Sequence, residues 1–436
     1  MSWDQRKNVK IRQEVYINME RFLPSELSLE ILSRLPIDEV IQCREVCTGW
    51  RDLIGPPSDP HLHLQRVSQS DGNSFSSLSS HTAANDPVGL LFSLKFPLQN
   101  GNQIYYGEYQ NQHSYKLKRV NQPPTISKLV VGSCNGLICF SETNHFGVHE
   151  PSCICNPVTS EYVNLPRLNV KCDDKVEAMV CGFGYHPSTN KYKIVEICYI
   201  QNQPLGHVKV YILGSGSGWR DIGETAYSLR PSRGISSSRS PFGTLANGAL
   251  HWLNDEDKIV SFDLDTENLY LLPSPFSDPA VSRQNRSKLK VLGGCLCFVY
   301  AIERLDIWFL RKKGVSVSFG VNEQDDFDKL NWIKEFSIPF RRGVELCALN
   351  NDGEILLVGY AVGYAVLISY NPQTGSMVKL TGNEFRNVFR NVTPHVNTFV
   401  SLKALGEKCR FRKRYDVNPA PNEIRIEPQP KGLKGG

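Results

Sequence analysis

The chain has 436 residues, 40% of them hydrophobic and 21% charged, with a formal net charge of +5. That length accommodates one small module and one large domain, and the balance is that of a folded, soluble protein rather than a disordered or fibrous one. Nine of the cations sit in two terminal segments, Arg6, Lys7, Lys10 and Arg12 at the start and Lys408, Arg410, Arg412, Lys413 and Arg414 near the end. The body between them has no positive excess, so no nucleic-acid-binding face is expected on it. The opening residues, 1–20, are charged and lack an apolar core of signal-peptide length. Thirteen cysteines without a secretory signal predict reduced thiols in a cytoplasmic and/or nuclear protein. No C-x-x-C spacing occurs, which excludes a RING-type zinc site. The first structured stretch, 21–57, reads as three short amphipathic helices. Pro24 presets a helical φ, Glu26 suits the positive end of the dipole, and Leu27, Ile31 and Leu35 recur at i, i+4, i+8. Pro36 stops that helix and Asp38 caps a second carrying Val40 and Ile41. Val46, Cys47, Trp50 and Ile54 form a third apolar stripe, ended by Gly55-Pro56-Pro57. Roughly forty residues cannot bury three such stripes internally, so part of this surface awaits either the rest of the chain or a partner.

The pattern L-P-x-E-L-x-x-E-I-L-x-R-L-P followed by C-R-x-V-C-x-x-W-x-x-L-I resembles the F-box. That resemblance implies docking onto a Skp-type adaptor and, through it, onto a cullin and a RING subunit. The adaptor-binding residues it implies are Leu23, Pro24, Leu27, Ile31, Leu32, Leu35, Pro36, Val46, Cys47 and Trp50; Arg44 and Leu53 also match the family pattern. Thr48-Gly49 departs from it, and Gly49 lowers helix propensity by up to about 1 kcal/mol without removing the apolar face.

Residues 58–87 read as a linker. Its DPHLHLQRV stretch adds a short helix in similar F-box proteins, and its remainder is rich in Ser, Asn and Gly. From Val88 to about residue 405 the texture is short β-rich runs between turn signals. One element recurs as strand, tight turn, strand, around Asn135-Gly136, Asn247-Gly248, Gly293-Gly294 and Asp352-Gly353, dipeptides that supply the positive φ of two-residue hairpins. A second follows it: CNPVTSEYVNLP, FDLDTENLYLLP and YNPQTGSMVKL align with Thr159, Thr266 and Thr374 in register, and YHPSTNKYKIV repeats the turn at Thr189. Two hairpins make four strands, and the unit recurs at roughly fifty-residue intervals, which is the arithmetic of a β-propeller blade. Full units fall near 128–166, 182–223, 243–275, 288–339 and 346–380. A sixth is expected from pairing the two ends, 89–119 with VNTFVSLKAL at 396–405. The fold class is therefore mainly β, a three-helix module followed by a six-bladed propeller, with seven blades or a two-sheet sandwich as the competing arrangements. Residues 406–436 read as a basic, disordered tail, with nuclear import or an RNA or membrane contact as alternatives for its cationic cluster. The apolar run Ile355–Tyr370 is too short to span a bilayer and is interrupted by Gly359 and Gly363, so two buried strands are expected there and no membrane partner.

Residues 88–405 resemble the F-box-associated domain of plant F-box proteins, through GSCNGLICF, CNPVTSEYVNLP, GFGYHPSTNKYKIV, NGALHWL, IVSFDLDTENLYLLP and ILLVGYAVGYAVLISYNPQTG in family order. Together the two resemblances imply a non-catalytic substrate receptor of an SCF-type ubiquitin ligase, whose β domain holds a target protein. The rival readings are a propeller enzyme or small-ligand binder whose helices self-associate, and an adaptor-binding protein that sequesters its partner.

The sequence carries no recognisable motif of reactive chemistry. Gly214-Ser-Gly-Ser-Gly218 lies between strands, with no helix N-terminus to receive a phosphate, and is read as a hairpin turn. G-x-S-x-G, H-E-x-x-H and G-K-[ST] are absent. Asp263, Asp265 and Glu267 alternate as a solvated strand face, since the other copies of that hairpin lack them. The pairs Cys153/Cys155 and Cys295/Cys297 are read as small buried hydrophobes. His61/His63 and His145/His149 have no neighbouring ligand cluster, so neither metal nor cofactor is expected. The insert 227–241, with Arg230, Arg233 and Arg239, is the candidate target-binding loop.

Overall fold

Tight turns and short apolar runs fold here as six antiparallel sheets, each the blade of a propeller. The computed structural model describes Cys43 and residues 89–96, 102–109, 114–120, 123, 129–143, 148–167, 175–230, 240–254, 256–276, 287–312, 330–339, 343–350, 352–361, 364–381, 389–411, 421 and 423–426. The helical module 21–57, the linker and all ten residues of the adaptor-binding set lie outside the described residues; Cys43 alone is described there, helical and half-buried.

Blade one comprises β4 (Leu129–Cys134), β5 (Leu137–Thr143), β6 (His149–Asn156) and β7 (Glu161–Asn164). Blade two comprises β8 (Val176–His186), β9 (Lys191–Ile200), β10 (Gly206–Ile212) and β11 (Trp219–Thr225). Blade three is β12 (Thr244–Ala246), β13 (Ala249–Leu253), β14 (Ile259–Asp263) and β15 (Leu269–Leu272). Blade four is β16 (Ser287–Leu292), β17 (Cys295–Ala301), β18 (Leu305–Lys312) and β19 (Leu330–Ile338). Blade five is β20 (Val344–Leu349), β21 (Ile355–Ala361), β22 (Tyr364–Tyr370) and β23 (Met377–Lys379). Five sequence-derived units thus correspond to five blades. Blade six joins the two ends of the domain: β24 (Phe389–His395) lies innermost, beside β1 (Gly89–Leu94), β2 (Gln103–Tyr109) and β3 (Tyr115–Arg119). The inner strands neighbour one another in the closed order β4, β8, β12, β16, β20, β24 and back to β4. Closure removes the open edge a linear array would expose.

The turn chemistry explains the registers. Asn135 and Gly136 both have positive φ (44° and 82°), as do Asn247 and Gly248 and the pair Gly293-Gly294, which is the two-residue hairpin. Asp352-Gly353 differs from that expectation. Only Gly353 is left-handed there (φ 74°). The Asn350 side chain accepts from the amides of Asp352 (3.0 Å) and Glu354 (2.8 Å), which holds a longer loop. In the second repeated hairpin, Asn156, Asp263 and Asn371 each accept backbone amides two and three residues on. The residue after each Thr, namely Ser160, Asn190, Glu267 and Gly375, takes positive φ.

Blades stack face to face, so strands in the middle of a blade are buried on both sides and read as continuous apolar runs. In β9, Ile194 packs with Leu137, Cys139 and Ile154 of blade one, whereas Val195 and Ile197 pack with Leu250, Val260 and Phe262 of blade three. The run Ile355–Tyr370 forms β21 and β22 as expected; Leu356 and Leu367 face blade six and Leu357 and Ile368 face blade four. Among the described residues no helix is long and apolar enough to cross a membrane.

Two C-terminal expectations need correction. The strand from this end that closes the ring is Phe389–His395, while residues 396–409 form a strap over blades one and two. Val400 and Leu402 are buried (2% and 0% exposed) in the core between those blades, so their alternation reflects two plugs rather than a ladder. Side chains satisfy the strap's backbone: the Asn156 amide donates to the carbonyls of Thr398 (3.0 Å) and Val400 (2.7 Å). The Glu161 carboxylate accepts from the Ser401 hydroxyl (2.8 Å) and the Leu402 amide (2.7 Å). Glu407 accepts from the Tyr211 hydroxyl (3.1 Å) and the Gly214 amide (2.7 Å). The Gly214 turn is indeed a hairpin connection, and it needs glycine because it sits against the Leu405 carbonyl at φ 76°. Beyond the strap, β25 (Arg410–Phe411) adds to β7 and β26 (Glu423–Ile426) adds to β3. Ile426 is fully buried against Tyr115 and Leu117, so this part of the expected disordered tail is ordered edge strand.

Candidate functional site

The inner strands surround a central channel with a cavity of about 530 Å³. Residues i and i+2 of a strand share a face, which puts Lys288 and Lys290 of β16 together on the side turned toward blade five. Leu289, between them, packs the other way, against Ala246, Ile259 and Leu272 of blade three. Across from the lysines, Glu345 of β20 receives both ammonium groups on one oxygen: Lys288 Nζ and Lys290 Nζ lie 3.1 and 3.2 Å from Oε1. The Tyr360 hydroxyl donates to Oε2 at 3.4 Å. Burial alone would raise the Glu345 pKa, but the Lys290 and Lys288 charges outweigh it and hold it at about 2.

Apolar side chains make up much of the remaining wall, including Val130, Phe242, Leu245, Val291 and Val392. His251 also lines the cavity and is uncharged at neutral pH, its pKa lowered to about 4 by burial against the pull of the Ala246 carbonyl. Its Nε2 donates to that carbonyl (3.1 Å) and Nδ1 accepts from the Ser261 hydroxyl (2.7 Å). Ser287 Oγ and Trp252 Nε1, in the same wall, are buried with no hydrogen-bond partner among the described residues. At the strap end of the ring, His395 accepts on Nδ1 from Ser133 (2.7 Å) and donates from Nε2 to Asn397 (3.2 Å), its pKa also lowered to about 4 by burial.

Of the candidate target-binding residues, Arg233 and Arg239 lie outside the described residues, and Arg230 is committed to structure. Its guanidinium pairs with Glu177 (3.3 Å), donates to the Pro204 carbonyl (3.2 Å) and to Gln203, and lies 4.5 Å over the Tyr199 ring. The insert nevertheless returns at the channel. Pro241 and Gly243 hydrogen-bond Cys181 alongside β8, and Ser240 and Phe242 line the cavity.

The acidic alternation is not a solvated face throughout. Asp263 holds its own turn, and Glu267 binds Lys193 (2.8 Å) and Arg220 (2.5 Å) of blade two; Asp265 alone is exposed. Burial works to raise the Glu267 carboxyl, but the hydrogen bonds from Lys193 and Arg220 carry it below the usual range. Cys153, Cys155 and Cys297 are buried and Cys295 half-buried, each C-x-C pair in one hydrophobic cluster as expected. His149 is half-buried beside Thr143, and its partner His145 and the pair His61/His63 lie outside the described residues. Among the described residues no group of His, Cys, Asp or Glu is placed to hold a metal.

Sequence reasoning missed Lys288, Lys290, Glu345 and Tyr360. The K-x-K spacing in SKLKVL was the available signal, but it gains meaning only once β16 and β20 are known to be neighbours.

Comparison with known proteins places this geometry in a family. Residues 88–403 match the family described as F-box associated beta propeller domain, and residues 22–62 match the F-box domain. The F-box protein At3g07870 of Arabidopsis thaliana is 26% identical over 421 residues, covering 86% of this chain and 91% of that protein. The F-box/kelch-repeat protein At3g23880 of Arabidopsis thaliana is 24% identical over 393 residues, covering 87% and 95%. Among solved structures, TolB from Acinetobacter baumannii is 11% identical with a TM-score of 0.40, covering 70% of this chain and 66% of that one.

Proposed function

The chain belongs to the family of F-box proteins with an F-box associated beta propeller domain, and from that premise we propose that it is the substrate-recognition subunit of an SCF-type ubiquitin ligase. The observation that carries the reading is the pairing, in one chain, of an F-box match at 22–62 with a closed propeller built around an accessible channel. In this reading the F-box docks on a Skp-type adaptor through Leu23, Pro24, Leu27, Ile31, Leu32, Leu35, Pro36, Val46, Cys47 and Trp50, and the adaptor brings the cullin and RING subunits. The propeller holds a target protein, and the chain itself is non-catalytic. Ubiquitin transfer happens in trans, because holding target lysines near a charged conjugating enzyme replaces a bimolecular encounter with a high effective concentration. Such a ligase would work in the reducing cytoplasm and/or nucleus, the compartments that the cysteine content predicts.

The test is co-purification of the full chain with a Skp-type adaptor. The double change Leu23→Ala, Pro24→Ala removes two apolar anchors and is expected to abolish co-purification while the propeller keeps its melting transition. Undiminished adaptor binding by that variant would overturn the docking.

A further inference from the structure

We propose that the propeller channel is a binding site for a small amphiphilic anion, a carboxylate or phosphate headgroup on an apolar body, held by Lys288 and Lys290. The cavity, about 530 Å³, falls in the range of pockets that enclose small organic ligands. Among its described lining residues the charged ones are Lys288, Lys290 and Glu345. One carboxylate stands against two ammonium groups, so one positive charge is left over. Both lysines converge on a single oxygen of Glu345, and each ammonium has three donors, so most of the N–H groups remain available to an incoming anion. Lys290 and Glu345 have side chains only 23% and 21% exposed. At that depth a charge is screened far less than on an open surface, and a second anion would be held more tightly than in water.

The rest of the wall fits the other half of the ligand. Val130, Phe242, Leu245, Val291 and Val392 offer apolar surface, and Ser287 and Trp252 add buried donors that have no hydrogen-bond partner among the described residues. A volume of this size admits a compact molecule rather than a folded segment, which favours a small ligand over a stretch of target protein.

The site is tested by equilibrium binding and thermal shift on the full chain, with decanoate and decyl phosphate as probes and decylamine and decanol as controls. Saturable binding of either anion, with decylamine and decanol at least tenfold weaker, is the expected result, and the stronger of the two anions identifies the headgroup. Charge changes of opposite sign sharpen it. Lys288→Met leaves Lys290 paired with Glu345 but removes the surplus charge, and should weaken anion binding at least tenfold with the melting transition retained. Glu345→Gln adds a net positive charge and should tighten it several-fold. Equal binding of decanol, unchanged affinity in Lys288→Met, or no binding of either anion would overturn the proposal. So would binding of an acidic octapeptide in place of both small anions. Because no adaptor enters the measurement, its outcome is independent of the ligase reading.

Discussion

Two carboxylates, Glu161 on β7 of blade one and Glu345 on the inner strand β20 of blade five, do opposite things. Glu161, 4% exposed, lies under the C-terminal strap and takes one hydroxyl and one backbone amide, so that a chain end is sealed onto blades one and two. Glu345, in the channel, takes two ammonium groups on one oxygen and leaves donors and charge to spare. The first arrangement is closed: Asn156 and Glu161 supply partners to the strap's backbone at Thr398, Val400 and Leu402, and the strap's own Glu407 accepts the Gly214 amide of blade two, as buried peptide groups require. The second is open, with unmatched charge facing a cavity. Closure by hydrogen bonding marks a structural seam, and surplus charge marks a place for something else to bind.

The largest expected effect comes from breaking the seam. Removing residues 396–436 leaves β24 in place but strips Val400, Leu402 and the outer strands from their cores, and should abolish cooperative unfolding; removing 412–436 alone should only shift the midpoint. Glu161→Ala leaves the Ser401 and Leu402 donors unmet and is expected to destabilise by about 3 kcal/mol in denaturant titration. A loss under 0.5 kcal/mol would show that the strap is not held this way.

The next effect is pH-dependent and carries two signs. Burial keeps His251 and His395 neutral, with pKa values lowered to about 4 from an ordinary 6.5. As pH falls below 6.5 the unfolded chain takes up these protons first, so their contribution is complete above 6.5 and drains away down to about 4. Glu196 is the reverse. Its carboxyl is 1% exposed with no hydrogen-bond partner for either oxygen among the described residues, and burial pushes its pKa well above 4.5. Its proton is kept in the fold and lost in the unfolded chain, which erodes stability as pH rises above 4.5. Denaturant midpoints measured from pH 4 to 8 should therefore flatten at the acid end in His395→Gln and rise at the neutral end in Glu196→Gln.

The smallest effect belongs to the channel. Lys288→Met removes one of two ammonium groups from Glu345 at a side chain 40% exposed, so stability should change by less than about 1 kcal/mol. A loss several times larger would mean that the lysine pair is a structural brace, and the contrast between the two carboxylates would fail.

Much of the ring was legible because its turns are chemical. Asn135-Gly136, Asn247-Gly248 and the Asx positions Asn156, Asp263 and Asn371 specify hairpins locally, and counting them gives the blades. What depends on distant partners was not legible. VNTFVSLKAL alternates like a strand, yet Val400 and Leu402 plug a core while Asn156 and Glu161, some 240 residues away, supply the hydrogen bonds. The sequence EIRI hides a two-residue period among charges, and its pairing with β3 appears only when both termini meet in blade six. Asp352-Gly353 looked like a two-residue turn until Asn350 capped a longer one. Lys288, Lys290 and Glu345 lie on strands that become neighbours only through the ring.

The most direct test of the receptor account compares proximity labelling by the full chain with that by a form lacking residues 22–54, and follows the half-life of the proteins both label. The account predicts that the shortened form labels the same targets more strongly, because they are held without being degraded, and that their half-lives lengthen relative to the full chain. Equal labelling and equal half-lives for the two forms would contradict it.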